Sequence, residues 1–553
     1  MQHTDTIHAA AEALWQIKLE NPYLRHASGL EVESLQAGSR EEAQAEAARA
    51  TSLAATLENI GVEGLSETDR LTLEFVRHDL TQVQQTEDTW LFGSPVAPYS
   101  SMGHMYLAQS VIVPISLDTP QAIEKRVQLW TDLARGLETA GERLRVQAAM
   151  GRRLARPAIP STLESWRRLR SGLQAMLTPA SSVGALQSRW EAQAQRLREG
   201  QVLPAIDAVI ASLADPAYAA AAPEAAGLMH WPGGEAEYRR AIAAQMTVPG
   251  EPEQIHAAGL VEVAELAERM REVRSRLGFT GSEAEFHARL KTDPRVIASS
   301  PADVEARYQR CMDRIKPLLP QWFARLPRSP YGVERAPPAV ESGMTYGYYD
   351  KPGQIGERGV YRYSAADLPN RSQLQVAALI YHELAPGHHL HMAGQMELAH
   401  LPALRRNALE LVAFNEGWAE YASGLGHEMG LYDDPYDLYG RLAHERFTAQ
   451  RMVVDTGLNA LGWSLEQARS YMSANTLEGE AQVASETLRY ATDLPAQALT
   501  YRLGYRWFMQ LREEAEKRLG LRFDVRAFHE AVLGEGALPL AVLRDHLLRA
   551  LPA

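Results

Sequence analysis

A chain of 553 residues with 56 Lys and Arg against 69 Asp and Glu carries a formal charge of −13. An acidic chain without a basic run is a poor binder of nucleic acid or of anionic membranes, so neither is expected as a partner. Its single cysteine, Cys311, can neither form an internal disulfide nor build a thiolate metal site, so any metal must be held by His, Asp and Glu.

The hydrophobic fraction of 46% and the charged fraction of 23% are those of a chain that buries a core. No window approaches the roughly 20 apolar residues of a membrane span. The start, Met1-Gln2-His3-Thr4-Asp5, lacks a basic region followed by an apolar stretch, which points to the cytoplasm.

The rhythm along the chain is helical. Ala/Glu/Arg/Leu tracts at 39–60, 120–150, 185–212 and 255–278 read as helices. Thr119-Pro120 is a cap followed by proline at the first helical position, and Ser300-Pro301 repeats the device. Beyond Ser300 the stripe Val304, Tyr308, Met312, Ile315 and Leu319 marks a buried face, with Cys311 beside it as a small core residue. The Ala-rich run Ala217–Ala226, Trp231-Pro232-Gly233-Gly234 and the proline-rich Arg325–Pro338 read as connections. Two short aromatic and β-branched segments, Met344–Tyr349 and Gly359–Tyr363, read as a strand pair to whose edge an extended peptide can add. Ser464-Leu465-Glu466-Gln467 is a capping box before a later helix.

The chemistry concentrates after Asn370, which is expected to cap a helix running through Leu374, Ala378 and Tyr381 into His382-Glu383-Leu384-Ala385-Pro386-Gly387-His388-His389. A zinc-peptidase helix needs two histidines four residues apart and a Glu after the first as base. Here the fifth position is Pro386. On an unbroken helix His388 would lie about 120° off the face of His382, and His389 roughly 10 Å farther along the axis. Pro386 breaks that helix, and Gly387 lets the backbone loop out. With Pro386-Gly387 excised as a bulge the string reads His-Glu-Leu-Ala-His, so His388 is the expected second ligand and His389 the alternative. Twenty-eight positions beyond His388 stands Asn415-Glu416-Gly417-Trp418-Ala419-Glu420-Tyr421. Glu416 supplies the carboxylate that a two-histidine zinc site needs as third ligand. Glu420, one turn on, is expected to orient a ligating histidine or to form an ion pair. His391, His400 and His427 read as surface histidines.

These residues resemble a known group. Asn-Glu-Gly-Trp-Ala-Glu-Tyr is similar to the third-ligand motif of alanyl-type aminopeptidases, and the displaced histidine resembles the inserted motif of dipeptidyl peptidase III. The resemblance is to the bacterial family called domain of unknown function 885. Its His-Glu-x-x-Pro-Gly-His-His signature stands at 382–389 and its Glu-Gly-Trp-Ala element at 416–419. Its Val-Asp-Thr-Gly-Leu element stands at 454–458 with Gly462-Trp463, and its Arg-Tyr…Pro-Gly-Gln-Ala…Tyr…Gly element runs from Arg489-Tyr490 through Pro495-Ala496-Gln497-Ala498 and Tyr501 to Gly504. Two departures are Asn459, where the family usually has His, and Ala496, where it has Gly.

The resemblance implies a mainly α zincin-like body with architectural relatives in thimet oligopeptidase and Taq carboxypeptidase. Residues 1 to about 330 would form a cleft wall and 331–553 the metal-bearing part, together one continuous unit. It implies a zinc-dependent hydrolase, a gluzincin-type metallopeptidase acting on short or unfolded peptides. One Zn²⁺ is expected on His382, His388 and Glu416, with Glu383 as general base toward a zinc-bound water. Tyr501 is the expected donor to the developing oxyanion, since similar helical zinc peptidases use a Tyr or His from the C-terminal region. Arg489 and Arg502 suit a substrate carboxylate, with Gln497 and Tyr363 as further substrate contacts. The protein would work as a monomer or homodimer. The alternatives are a catalytically impaired ligand-binding relative, or a zinc amidohydrolase acting on a non-peptide amide.

Overall fold

The computed structural model describes residues 2–178, 185–337, 341 and 347–552. Helix accounts for 67% of the residues and strand for 3%, so the fold is mainly α with one small sheet. The helices used below are α1 (Gln2–Lys18), α2 (Glu67–Gln84), α3 (Pro120–Ala149), α4 (Leu203–Ala214), α5 (Pro252–Arg276), α6 (Val376–Glu383), α7 (His388–Met396), α8 (Val412–Gly424), α9 (Pro435–Asn459) and α10 (Leu499–Leu519). Among the described residues no helix is long and apolar enough to cross a membrane.

The helix starts follow their caps. Thr119 Oγ1 accepts from the backbone of Ala122, Ser300 Oγ from Asp303, and Ser464 closes its capping box with Gln467. The tract at 185–212 is two helices, Ala185–Leu197 and α4, joined by a widened turn at Arg198–Val202. Part of the Ala-rich connection is itself a short helix, Pro216–Ala221, capped by Asp215.

Two apolar clusters organise the packing, and both ignore the boundary near residue 330. The first joins Leu14 of α1 and Phe75 of α2 to Tyr381, Phe414, Trp418 and Phe508. The second joins Trp130, Leu137 and Val209 of α3 and α4 to Phe447, Val454 and Leu458 of α9. Salt links reinforce the first junction: the Lys18 ammonium lies 2.5 Å from both Asp79 and Glu410, the latter just before α8. Cys311 is buried in the first cluster, where burial pushes its thiol up to about 12 and keeps it unreactive.

The sheet has three strands rather than two: β1 (Tyr331–Arg335), β2 (Gly347–Asp350) and β3 (Gly359–Tyr363), in the order β1-β3-β2. β3 pairs parallel to β1 and antiparallel to β2, with Tyr349 opposite Tyr361. Residues 344–346 of the expected first strand lie outside the described residues. β1 falls inside the stretch expected to be a connection; Pro327, Pro330 and Pro337 flank it without interrupting its pairing.

Candidate metal centre

The first histidine sits at the end of a helix. α6 begins at Val376 after the turn Leu368–Asn370, so Asn370 does not cap it. α6 stops at Glu383 and α7 starts at His388, so the interruption spans Leu384–Gly387 rather than the two-residue bulge expected from Pro386-Gly387. Three bonds close the gap. The Leu384 amide still bonds the Ile380 carbonyl, the His389 amide reaches back to Leu384, and the Trp418 indole donates to the Pro386 carbonyl at 3.1 Å. The tryptophan of the second motif thus holds the break in the first. At Gly387 a Cβ would collide with the carbonyl oxygen of His382, so only glycine fits this reversal.

The break turns His388 toward His382. Their rings lie 4.7 Å apart, nearly perpendicular. Nε2 of each faces Glu416 Oε2 at 3.3 Å. The three potential ligand atoms lie within 4.8 Å of one another. Glu416 Oε2 is buried without an aligned hydrogen bond, as is His388 Nδ1. A convergent pair of imidazole nitrogens and a carboxylate oxygen fits a zinc ion's donor preference and leaves a coordination position open. Glu416 reaches the site because α8 lies backbone to backbone on α10. A Cβ at Gly417 would sit 2.6 Å from Gly504 Cα, and both positions are glycine.

Behind His382 lies a second layer. Glu420 Oε1 is 3.1 Å from His382 Nδ1 and accepts from His444 Nε2 at 2.7 Å. Arg441, fully buried, bonds the Glu420 carbonyl oxygen and lies 3.4 Å from its Oε2, while its Nε donates to Glu445. Glu420 thus lies beside His382 Nδ1 and pairs with Arg441, the places its two expected roles require. His382, Glu420 and His444 also lie close enough to hold an ion. The guanidinium of Arg441 against Glu420 opposes a second cation there. His444 and Arg441 were not foreseen. The signal was present: Arg441 and Glu445 are spaced i,i+4 within α9, where almost every residue is buried. The field is negative: burial disfavours charge on His382, but Glu416 and Glu420 outweigh it and lift the imidazole to about 10.

Glu383 is partly exposed beside this group. Burial raises its carboxyl above the ordinary range, Glu416 and Glu420 add to this, and His382 and His388 oppose it. Tyr501 stacks on His382 at 6.3 Å between ring centroids, and burial raises its phenol. Gln497 stands near Tyr501 and accepts from Arg489 at 2.6 Å. Glu383, Tyr501, Gln497 and Arg489 thus lie beside the histidine pair as successive neighbours.

Other expectations need correction. Arg502 is not a substrate contact: it is buried between Glu262 and Glu445, and its guanidinium lies over Tyr505. Tyr363 is not one either, because its ring is buried and its hydroxyl donates to Glu305 at 2.7 Å. His389 is buried, donates from Nε2 to the Ser329 carbonyl and accepts the Tyr349 hydroxyl at Nδ1, so neither nitrogen is left for a metal. His391 is buried, not on the surface, and donates to Asn415. His400 and His427, by contrast, are exposed as expected, beside Glu535 and Glu445. Asn459 accepts from the Leu228 amide and donates to the carbonyls of Asp455 and Tyr490, which makes it a buried clasp. Ala496 adopts a left-handed φ of 69°, a conformation that favours glycine, with its methyl buried among Leu228, Met452 and Leu499.

Comparison with known proteins supports the expected family. The profile of the family described as bacterial protein of unknown function (DUF885) matches residues 22–547. The chain belongs to DUF885. Two solved structures, both of putative lipoproteins, are similar over nearly their whole length. The one from Colwellia psychrerythraea is 25% identical with a TM-score of 0.86, covering 100% of this chain and 99% of its own. The one from Shewanella oneidensis, described as of unknown function, is 16% identical with a TM-score of 0.75 and covers 99% of each chain. At that identity it shows a shared fold. No curated protein matches the chain.

Proposed function

We propose that this DUF885 chain is a zinc-dependent peptidase that hydrolyses short or unfolded peptides. One observation carries the reading: His382 Nε2 and His388 Nε2 converge on Glu416 Oε2, with Glu383 next in sequence to the first ligand. His382, His388 and Glu416 would hold the ion, which when bound supplies Lewis-acid polarisation of a carbonyl and acidification of water.

The protein's own groups do the rest. Glu383, with its carboxyl raised by burial, takes the proton from the attacking water and returns it to the leaving amine. Tyr501, stacked on His382, donates its O–H to the oxygen of the scissile carbonyl. Glu420 Oε1, 3.1 Å from His382 Nδ1, holds negative charge behind that ring. β2 is an edge strand, and its Tyr349 stacks on His388 at 6.5 Å. An extended peptide added to that edge would run past the histidines.

The test is a digest of a peptide library by wild type and by Glu383→Gln. Wild type should give products that the variant, retaining its zinc, does not. Identical product profiles would overturn the mechanism.

A further inference from the structure

Resting on the peptidase reading above, we infer that the site selects substrates by a carboxylate group, and that Arg489 receives it. The argument begins at Tyr501. One neighbour of its ring is His382; another is the guanidinium of Arg451, 4.7 Å from the ring centroid. Arg489 lies near enough to act on the Tyr501 phenol and donates to Gln497. Two guanidinium groups therefore stand beside the side chain that touches the first histidine.

The carboxylate paired with them is Glu486, and it is unevenly shared. Its Oε2 takes Arg451 at 3.1 Å and also accepts the Tyr490 hydroxyl. Its Oε1 lies 3.6 Å from Arg489, beyond a hydrogen bond. The short partner of Arg489 is the neutral amide oxygen of Gln497. Two further acids act on Arg489 from a distance. Asp455 accepts from Tyr238 and from the Ala496 amide, and Asp493 accepts from the Tyr99 amide. Burial pushes these up to about 7 and about 6, so at neutral pH they keep part of their charge, but their hydrogen bonds are taken by Tyr238 and the two amides. Among the described residues no carboxylate hydrogen-bonds Arg489, whose short partner is neutral.

Arg489 is also the reachable member of the pair. Its side chain is 20% exposed against 8% for Arg451. A guanidinium presents two parallel N–H groups that match a carboxylate. Arg489 acts on Tyr501, and Tyr501 stacks on His382, so a carboxylate held there lies within a few residues of the bond at the histidines. Two sources supply that group: the α-carboxylate of a peptide's C-terminus, or an Asp or Glu side chain. The first makes the enzyme release short C-terminal fragments.

Three versions of one peptide separate the cases: a free C-terminus, a C-terminal amide, and an amide with Glu near the end. Wild type should cleave at least one carboxylate-bearing version about 10- to 100-fold faster in kcat/KM than the neutral amide, as loss of a charged hydrogen bond implies. Arg489→Met should bring that version close to the amide, and Arg489→Lys should fall between. Preference for the free acid assigns the C-terminus; preference for the Glu peptide assigns a side chain. Equal rates on all three by wild type, which needs no variant to fold, overturn the inference and leave the peptidase reading standing. Binding of the same peptides to Glu383→Gln, read by calorimetry, covers the other case. If wild type cleaves none, tighter binding of the acid by this protein keeps the carboxylate site and removes the peptidase reading; equal binding removes both.

Discussion

The most revealing perturbation is a single methyl group at Gly417. A Cβ there would meet Gly504 Cα at 2.6 Å, its carbonyl carbon at 2.7 Å and its oxygen at 3.0 Å. All three are backbone atoms, which cannot rotate away, so α8 and α10 must separate. Overpacking of this kind costs about 1–3 kcal/mol, and rigid backbone on both sides puts Gly417→Ala at the upper end. Helix propensity returns up to about 1 kcal/mol. Gly424→Ala on the same helix is the control, because its nearest neighbours, Tyr505 at 3.4 Å and Arg441 at 3.5 Å, are ordinary contacts. The two variants should differ by about 3 kcal/mol in denaturant unfolding, with Gly424→Ala at or slightly above wild type. Gly417→Ala should also purify with less zinc, since Glu416 moves with its neighbour. Equal stability of the two variants, with zinc unchanged, would refute the idea that this helix crossing places the third ligand.

Other consequences can be checked together. Glu420→Gln should weaken zinc binding by about 10- to 100-fold in a chelator competition, because His382 loses its orienting carboxylate. Asn459→Ala leaves the Leu228 amide and the Tyr490 carbonyl without partners and should cost about 2–4 kcal/mol in urea unfolding. His529, bonded to the Tyr421 hydroxyl and the Trp322 carbonyl, has its imidazole lowered by burial from 6.5 to about 4. A depressed histidine stabilises the fold fully above pH 6.5 and loses that contribution as pH falls toward 4, about 3 kcal/mol in all. The urea midpoint of His529→Phe should therefore fall less steeply between these pH values than that of wild type.

Much of this was legible in the sequence because the signals are local. Thr119, Ser300 and Ser464 cap helices through bonds three residues long, and a proline inside a motif states where a helix must end. The pairing of His382 with His388 followed from helix geometry once Pro386 was taken as a break. The extent of that break was not legible, since it depends on Trp418 reaching the Pro386 carbonyl from another helix. The same reason hid the fates of Arg502 and Tyr363. Glu262 and Glu305, which occupy them, are 240 and 58 residues away in sequence. β1 was missed because a five-residue strand draws its stability from β3, not from its own composition. His389 reads as an alternative ligand and His391 as a surface residue, yet Ser329, Tyr349 and Asn415 arrive from elsewhere to satisfy them. Ala496 stands at a left-handed turn where the family has glycine, and only the fold shows its methyl buried in an apolar cluster.

The central claim is that two imidazoles and one carboxylate hold a single zinc ion. Metal content by mass spectrometry, on protein purified without chelators, tests it most directly when wild type is compared with Glu416→Ala and Glu383→Gln. The account predicts about one zinc per chain in wild type and in Glu383→Gln, and a large loss in Glu416→Ala. Wild-type protein with less than about one-fifth of a zinc per chain, or Glu416→Ala retaining the full amount, would contradict it.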